Sequence, residues 1–332
     1  MAEEAGLAVD LTGYEAEMEA ARERSRSAGS AGDEADLPPE RLAELAQHVS
    51  ATNDSARNVH NRQSAKVGAL LVLGDLVSEV SAGHVVAVVL DQTNFYAEMG
   101  GQVGDTGILE SEDVRICVHD TKRCGDFVLH LGKVESGTVR PGMTVQTCLD
   151  TDRRNGIEAH HTSTHLLNLG LRSVVGEEAE QRGSLVEADR LRFDYATSSA
   201  PTPEDLARVE SIVRKAIQED LPVATSLAPL EAAKSIQGLR AVFGERYPDP
   251  VRVVSIGPTT DELLADPSAD WTGHSVEFCG GTHAARTGTA QDFALLGEGS
   301  LSAGVRRVNG VVGPAARIAH ELAGSLSNDI DV

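Results

Sequence analysis

Aromatic side chains and positive charge are both in short supply in this sequence. Six Phe, four Tyr and one Trp make up 3% of 332 residues. A row of stacking rings for the bases of a single strand is therefore not expected. Lys and Arg number 29 against 51 Asp and Glu, which gives a net charge of −22. Any nucleic-acid contact must then use a local basic patch, weakly and with strong salt dependence.

Cysteines and long apolar runs are limited as well. The four cysteines, Cys117, Cys124, Cys148 and Cys279, show no regular disulfide spacing. No apolar stretch approaches the ~18 residues of a membrane-spanning helix, and the N-terminus lacks the apolar segment of a signal peptide. These absences argue against a membrane partner and favour the reducing cytoplasm, where a cysteine is free, metal-bound or buried.

The composition that remains, 41% hydrophobic and 24% charged, is that of a globular protein of more than one domain. We predict a helical extension and linker over 1–62, a β-barrel over 63–150, an α+β domain over 151–318 and a tail over 319–332. The polar segment 8–30 has the Glu and Arg spacing of a helix. The segment 29–60, rich in Gly, Ala, Ser, Asp and Pro, suggests a mobile linker.

Short β-type runs separated by Gly and Asp characterise the stretch from 66 to 150. They are KVGALLVLG, GHVVAVVLD, VRICVHD, FVLHLGKV and MTVQTCLD, and their spacing is typical of a small barrel or sandwich. Between them lies the glycine-rich loop FYAEMGGQVGDTG (95–107). A backbone without side chains can approach a ligand closely, although a tight barrel corner would explain the glycines equally well.

The second half of the chain has an α+β pattern. Helical periodicity runs over 160–175 and, more clearly, over 203–219, where Thr202 is the expected N-cap and Pro203 opens the helix. The strand-like run VRVVSIG follows, and then a loop that carries FCGGTH. The fold class expected is therefore α+β: a small β-barrel followed by an α+β domain, with an N-terminal helical extension.

Four potential metal ligands form the strongest local pattern. His161 and His165 are spaced i, i+4, which places both imidazoles on one helix face. Cys279 and His283 bracket Gly280-Gly281-Thr282, a turn that can bring a thiolate and an imidazole together. Three nitrogens and one sulfur suit tetrahedral Zn²⁺, although either half alone is more often a pair of ordinary residues.

The kind of zinc site stays open at this stage. A metalloprotease helix needs Glu directly after the first histidine, and this sequence has Thr162 there, so that class is excluded. Four protein ligands would close the coordination sphere of a structural zinc. Activation of water would then require an expanded shell or a displaced ligand.

These motifs together resemble the editing region of alanyl-tRNA synthetases and the free-standing AlaX trans-editing proteins. The similarity covers about residues 8–318. It is carried by FYAEMGGQVGDTG, DTDRRNGIEAHHTSTHLLNLGLR, EQRGSLV, LRFDY, FGERY, VEFCGGTH and GEGSLSAGVRRVNGVVG, all in the family's order. The second stretch has Thr-Ser-Thr where the family commonly has Thr-Ala-Thr.

The resemblance implies hydrolysis of serine or glycine wrongly attached to alanine tRNA. It implies Zn²⁺ bound by His161, His165, Cys279 and His283, with Gln181 in the editing pocket and Gly100 and Gly101 positioning the acceptor stem. We add Thr162 and the ligand Cys279 to Gln181 as catalytic candidates, and Arg153, Arg192 and Arg306 as tRNA contacts. For any single arginine, surface ion pairing is the simpler interpretation.

Two alternatives remain at this point: editing of misacylated threonine tRNA, and a non-catalytic, zinc-stabilised tRNA-binding module that the charge of −22 would suit. The acidic N-terminus favours a natural free-standing editor over an excised fragment. The sequence does not decide the preference for Ser or Gly, or the oligomeric state.

Overall fold

The computed structural model describes residues 37–241 and 246–330. The helix predicted over 8–30 lies outside the described residues, as do residues 242–245, which include the first three residues of the FGERY motif (243–247).

The described residues form helices and strands in an α+β order. The helices are α1 Pro39–His48, α2 Thr151–Val174, α3 Pro203–Gln218, α4 Leu230–Lys234, α5 Thr260–Ala265 and α6 Gly313–Ile330, with a 3₁₀ turn at Thr287–Ala290. The strands of the first half are β1 Gln63–Val72, β2 Asp75–Val77, β3 Val80–Ser81, β4 Val85–Leu90, β5 Gly107–Glu110, β6 Arg115–Cys124, β7 Phe127–Ser136, β8 Thr138–Val139 and β9 Thr144–Leu149. Those of the second half are β10 Gln181–Val186, β11 Leu191–Ala196, β12 Val223–Ala228, β13 Val251–Ile256, β14 Ser275–Phe278, β15 Phe293–Ser302 and β16 Val305–Val312.

The predicted barrel is confirmed. Its strands follow the order β2-β1-β4-β7-β6-β5-β9, and an additional pairing of β1 with β9 closes six of them into a ring, with β2 outside. Residues alternate between interior and exterior along β6, where Ile116 and Val118 are buried and Arg115 and Cys117 are exposed. This alternation explains why the β-type runs could be recognised from sequence.

Helix α1 lies within the segment for which a linker was expected, so that expectation is wrong over Pro39–His48. Leu37 before the helix and Leu45 within it are buried in the same core cluster as Leu71, Val89 and Phe127 of the barrel strands. Packing of these two leucines stabilises a segment whose composition alone favours disorder.

The described residues divide into two compact units. The first combines those up to Asn53 with Ser64–Gln92 and Leu109–Gln146, and the second combines Asp54–Gln63, Thr93–Ile108 and those from Thr147 onwards. The glycine-rich loop therefore groups with the second unit, although it lies among barrel strands in the sequence. The bounds of the four predicted segments remain predictions.

The second unit is built around α2. Leu167 and Leu171 of this helix pack with Phe193 of β11 and with Val209 and Val213 of α3. The four-stranded sheet has the order β10-β11-β16-β15, and a three-stranded sheet has the order β12-β13-β14. Helix α3 begins as predicted, with Thr202 accepting a hydrogen bond from the Asp205 amide in a capping box.

The C-terminal segment differs from the predicted tail. Helix α6 continues from Gly313 to Ile330, and Ala316 on its first turn is buried against Ala294 and Val311. None of the helices in the described ranges is long and apolar enough to cross a membrane.

Candidate metal centre

Helix α2 supplies two of the four potential ligands. Asp150 caps its N-terminus by accepting from the Arg153 amide at 3.0 Å. His161 and His165 follow one turn apart and are both buried, with ring centroids 5.2 Å from each other. The spacing read from the sequence therefore does place both imidazoles on one face.

The turn after β14 supplies the other two ligands. Arg252 of β13 holds this turn by donating from Nη1 to the carbonyl oxygens of Cys279 at 2.7 Å and Gly281 at 2.6 Å. Gly281 packs directly on the first histidine, since a Cβ at this position would lie 2.1 Å from His161 Cε1. Only glycine fits there without displacing the ring.

The four side chains converge on one point. Their potential ligand atoms all lie within 4.8 Å of one another. Cys279 Sγ is 3.4 Å from His161 Nε2 and 3.4 Å from His283 Nε2. Ligands of a tetrahedral zinc, at about 2.0–2.3 Å from the ion, are separated by roughly 3.3–3.6 Å. The cluster is thus able to hold a metal ion, and the expected ligand set is brought together.

The electrostatics of the cluster suit metal ligation. Burial lowers the pKa of His161 and His283 well below their usual value and lowers the pKa of His165 to about 3. Neutral imidazoles keep the lone pair that a cation needs. The Gly281 amide donates to Cys279 Sγ at 3.4 Å, and such a contact favours a thiolate. Within the described chain, the buried Nδ1 of His165 has no hydrogen-bond partner. This nitrogen is therefore available as a ligand atom for a metal ion.

Three further side chains contact the histidines. Gln102 Oε1 lies 2.7 Å from His161 Nδ1, and Thr162 Oγ1 lies 3.2 Å from His283 Nδ1. Glu277 Oε2 is 3.8 Å from His165 Nε2, and its other oxygen accepts from Asn168 at 3.0 Å. Burial raises the pKa of Glu277 to about 7.

The glycine-rich loop and Gln181 meet on β10. Gln181 Nε2 donates to Ser184 Oγ at 3.0 Å. Gly101 packs on that same serine, because a Cβ at this glycine would lie 2.5 Å from Ser184 Oγ. Gly100 has open space around it, and both glycines have positive φ, 61° and 84°. Their roles in tRNA positioning and editing remain predictions.

The three arginines expected to contact tRNA do not form one patch. Arg153 donates to the Gly104 carbonyl at 2.7 Å, and Arg306 pairs with Glu298. Arg192 Nη2 lies 3.7 Å from Asp194 Oδ2. In the sheet register Asp194 lies opposite Arg307 and Tyr195 lies opposite Arg306. Since neighbours on a strand alternate between faces, Arg192 and Arg306 project from opposite sides of the sheet.

The sequence interpretation missed Gln102, Arg252 and Glu277. Arg252 and Glu277 could have been suspected, because each is the single charged residue of a largely buried strand, VRVVSI and SVEF. Gln102 carries a weaker signal, its position directly after the glycine pair. Its partners at Thr282 and His161 are distant in the sequence and cannot be inferred from local pattern.

Fold and centre together define an α+β protein whose second unit carries a potential three-histidine, one-cysteine metal site. Residues 1–153 match the family described as class II (A) tRNA synthetases. Residues 251–309 match the second additional domain of threonyl and alanyl tRNA synthetases.

Curated relatives extend this similarity over the whole chain. The mitochondrial alanine–tRNA ligase of Saccharomyces cerevisiae is 40% identical over 338 residues, which cover 100% of this chain and 34% of the relative. The alanine–tRNA ligase of Granulibacter bethesdensis is 43% identical, covering 94% of this chain and 35% of the relative. The cytoplasmic alanine–tRNA ligase of Dictyostelium discoideum is 39% identical, covering 97% and 35%.

The chain belongs to the alanyl-tRNA synthetase family. It spans about a third of the length of the curated relatives it matches, from 34% to 35% in these three.

Proposed function

We propose that this chain hydrolyses the ester that joins a wrong amino acid to alanine tRNA, with Ser-tRNA(Ala) and Gly-tRNA(Ala) as substrates. The observation that carries the proposal is the convergence of His161, His165, Cys279 and His283 within 4.8 Å. It occurs in a chain that resembles the editing region of its family. In the reaction, water adds to the ester carbonyl carbon and the bond to the ribose oxygen breaks. The amino acid leaves as an acid and the tRNA regains its 3′-terminal hydroxyl.

We further propose that the ion held by the four ligands is Zn²⁺. A thiolate with three imidazoles matches the preference of zinc for sulfur and nitrogen, whereas Mg²⁺ and Ca²⁺ prefer oxygen. When bound, zinc supplies Lewis-acid chemistry that polarises a carbonyl or lowers the pKa of water. A closed set of four protein ligands is equally compatible with a purely structural ion, and the experiment below separates these two roles.

The surrounding side chains orient the ligands and the substrate. Thr162 Oγ1 accepts from the Ala284 amide at 3.2 Å and lies beside His283 Nδ1, so this hydroxyl fixes the orientation of the His283 ring. Gln181, held by Ser184, is the proposed contact for a serine hydroxyl or for the attacking water. The open backbone at Gly100 and the guanidinium of Arg153 are the proposed contacts for the acceptor end.

The need for such an activity follows from the limits of binding. Serine and glycine differ from alanine by one hydroxyl or one methyl group, and a pocket discriminates such pairs only by roughly 10- to 200-fold. A second, hydrolytic site is the general remedy.

Threonine tRNA is the less favoured substrate, since the curated relatives described above are named alanine–tRNA ligases, although the matched domain is named for both families. We place the protein in a reducing compartment such as the cytoplasm, where Cys279 is not oxidised to a disulfide.

The test is deacylation of Ser-, Gly- and Ala-charged alanine tRNA and of Ser-charged threonine tRNA by the zinc-loaded protein. We expect release of Ser or Gly from alanine tRNA, with Ala spared. Cys279→Ala should abolish release, whereas Cys117→Ala, a cysteine exposed on the barrel, should not change it.

Zinc content and unfolding are measured on the same samples. Loss of activity in Cys279→Ala with the fold retained supports a direct role of the ion, and loss of both together supports a structural one. Tight binding of tRNA without release of any amino acid would overturn the enzyme proposal and leave a tRNA-binding module.

A further inference from the structure

Gln102, the residue that follows the glycine pair, has a fully buried side chain with three hydrogen bonds. Its Oε1 lies 2.7 Å from His161 Nδ1 and 2.9 Å from the Thr282 amide nitrogen, and its Nε2 donates to Thr282 Oγ1 at 2.9 Å. A backbone N–H can only donate, so the Thr282 amide fixes the oxygen of the side-chain amide at this position.

This arrangement determines the tautomer of His161. Since Oε1 can only accept, His161 Nδ1 must carry the proton and donate to it. The ring's other nitrogen, Nε2, is then the unprotonated one, and it lies 3.4 Å from Cys279 Sγ within the ligand cluster. A hydrogen bond to the outer nitrogen of a histidine ligand fixes the ring and makes it a better ligand.

The same amide also holds the turn that carries the other ligands. Thr282, which takes two of the three hydrogen bonds, lies between Cys279 and His283. Gln102 therefore connects helix α2 with the CGGTH turn. Its own loop is fixed from the far side, because the Val186 amide donates to the Gly101 carbonyl at 2.8 Å and Gly101 packs on Ser184.

We propose that Gln102 is a positioning residue of the metal centre, which sets the protonation and orientation of His161 and the conformation of the turn. The glycine-glycine-glutamine motif then builds the centre, in addition to the acceptor-stem role that the resemblance implies for its glycines. This role rests on the proposed function in one respect, that a metal ion binds to the centre. It does not depend on deacylation.

The neutral amide has a chemical consequence. Three neutral imidazoles and one thiolate leave a divalent ion with a net charge of about +1. A carboxylate in place of Gln102 would accept the same two hydrogen bonds but cancel that charge. Gln102→Glu is therefore expected to keep the ligands in place while making the centre less electrophilic.

The test measures metal binding directly. Zn²⁺ affinity is determined by competition with a chromophoric chelator, and the geometry is followed by the visible absorption of the Co²⁺-loaded protein. Gln102→Met keeps the volume and removes all three hydrogen bonds, so we expect a 10- to 100-fold weaker affinity and a changed Co²⁺ spectrum. Gln102→Glu should bind Zn²⁺ within a few-fold of the unsubstituted protein but deacylate more slowly.

Asn94→Leu is the matched control. Asn94 is also a fully buried amide of the second unit, and its Nδ2 donates to the Val59 and Asn61 carbonyls at 3.0 Å while its Oδ1 accepts from Thr147. Its removal should lower stability without changing the Co²⁺ spectrum. If Gln102→Met does not fold, Gln102→Asn retains an amide that is one methylene too short to reach both partners, and the same loss of affinity is expected.

Unchanged affinity and spectrum in Gln102→Met, or in Gln102→Asn where the Met variant does not fold, would overturn the positioning role and leave the proposed function standing. The same conclusion follows if Asn94→Leu weakens metal binding as much as Gln102→Met. Failure of the unsubstituted protein to bind Zn²⁺ or Co²⁺ would instead overturn the zinc proposal, and this inference with it.

Discussion

Two adjacent glycines in the CGGTH turn have different surroundings, and this difference predicts different effects of substitution. A Cβ at Gly281 would lie 2.1 Å from His161 Cε1 and 2.7 Å from Gln102 Oε1, both held inside the structure. A Cβ at Gly280 would meet only the flexible end of Met99, at 3.2 Å. We expect Gly281→Ala to displace His161 and weaken Zn²⁺ binding by at least about tenfold, as loss of ligand orientation does elsewhere.

Gly280→Ala is the control for this prediction, because it adds the same methyl group to the same turn and should leave Zn²⁺ affinity within about twofold. Chelator competition and thermal unfolding are compared for both variants. Equal affinities in the two variants would show that the turn adjusts freely and that the contact of Gly281 with His161 does not set the site.

For single residues, the sequence predicts the metal ligands better than the side chains that hold those ligands in place. The four ligands could be named because their chemistry is specific and each pair is close in the chain. Arg252, Gln102 and Glu277 support them from other strands and loops, and no periodicity connects these residues with the histidines. The expected contacts of Arg192 and Arg306 ignored strand alternation, which places them on opposite faces.

Helix α2 is anchored at its N-terminal end by a buried ion pair. Arg154 donates from Nε to Asp105 Oδ1 at 2.9 Å and contacts Oδ2 with Nη2, and the two side chains are 0% and 2% exposed. Its remaining donors reach the Arg57 carbonyl at 2.8 Å and the Asn94 carbonyl at 3.1 Å. We expect Arg154→Met to destabilise the fold by about 3–5 kcal/mol, because Asp105 would remain charged and buried without its partner.

Urea unfolding measures this cost, and the double variant Arg154→Met, Asp105→Asn tests its cause. Asparagine still accepts from the Tyr96 amide, which lies 2.6 Å from Asp105 Oδ2, but carries no charge. The double variant should therefore recover roughly 1–3 kcal/mol relative to Arg154→Met alone. If the losses in free energy of unfolding of the two single variants simply add in the double variant, packing rather than an uncompensated charge explains the effect of Arg154→Met.

Elements were predictable where local pattern and burial agree. The barrel strands alternate as their sequences suggest, and α3 begins at the predicted cap. Helix α1 was missed because its stability comes from burying Leu37 and Leu45 in the barrel core, which composition does not reveal. The extension of α6 over the expected tail has a similar explanation at Ala316, whose contacts are with strands.

The net charge of the whole molecule determines how an RNA substrate could bind. With 29 basic against 51 acidic residues, long-range forces repel phosphates, and only a local patch attracts them. The candidate Arg306 is already paired with Glu298, and its neighbour Arg307 is paired with Asp194. We therefore expect about two or three phosphate contacts, and a slope of log Kd against log salt of about 2–3.

Fluorescence anisotropy with an acceptor-stem RNA measures this slope. Between 50 and 200 mM salt the affinity should fall by roughly 15- to 60-fold. Arg153→Gln, at the start of α2, should lower the slope by about one, because the phosphate contact proposed for this arginine would be lost. Arg306→Gln is the comparison: its guanidinium is neutralised by Glu298 and lies on the other sheet face from Arg192, so the slope should not change. A slope of about eight or more would require a broad basic surface and would contradict the two or three phosphate contacts expected for a molecule of net charge −22.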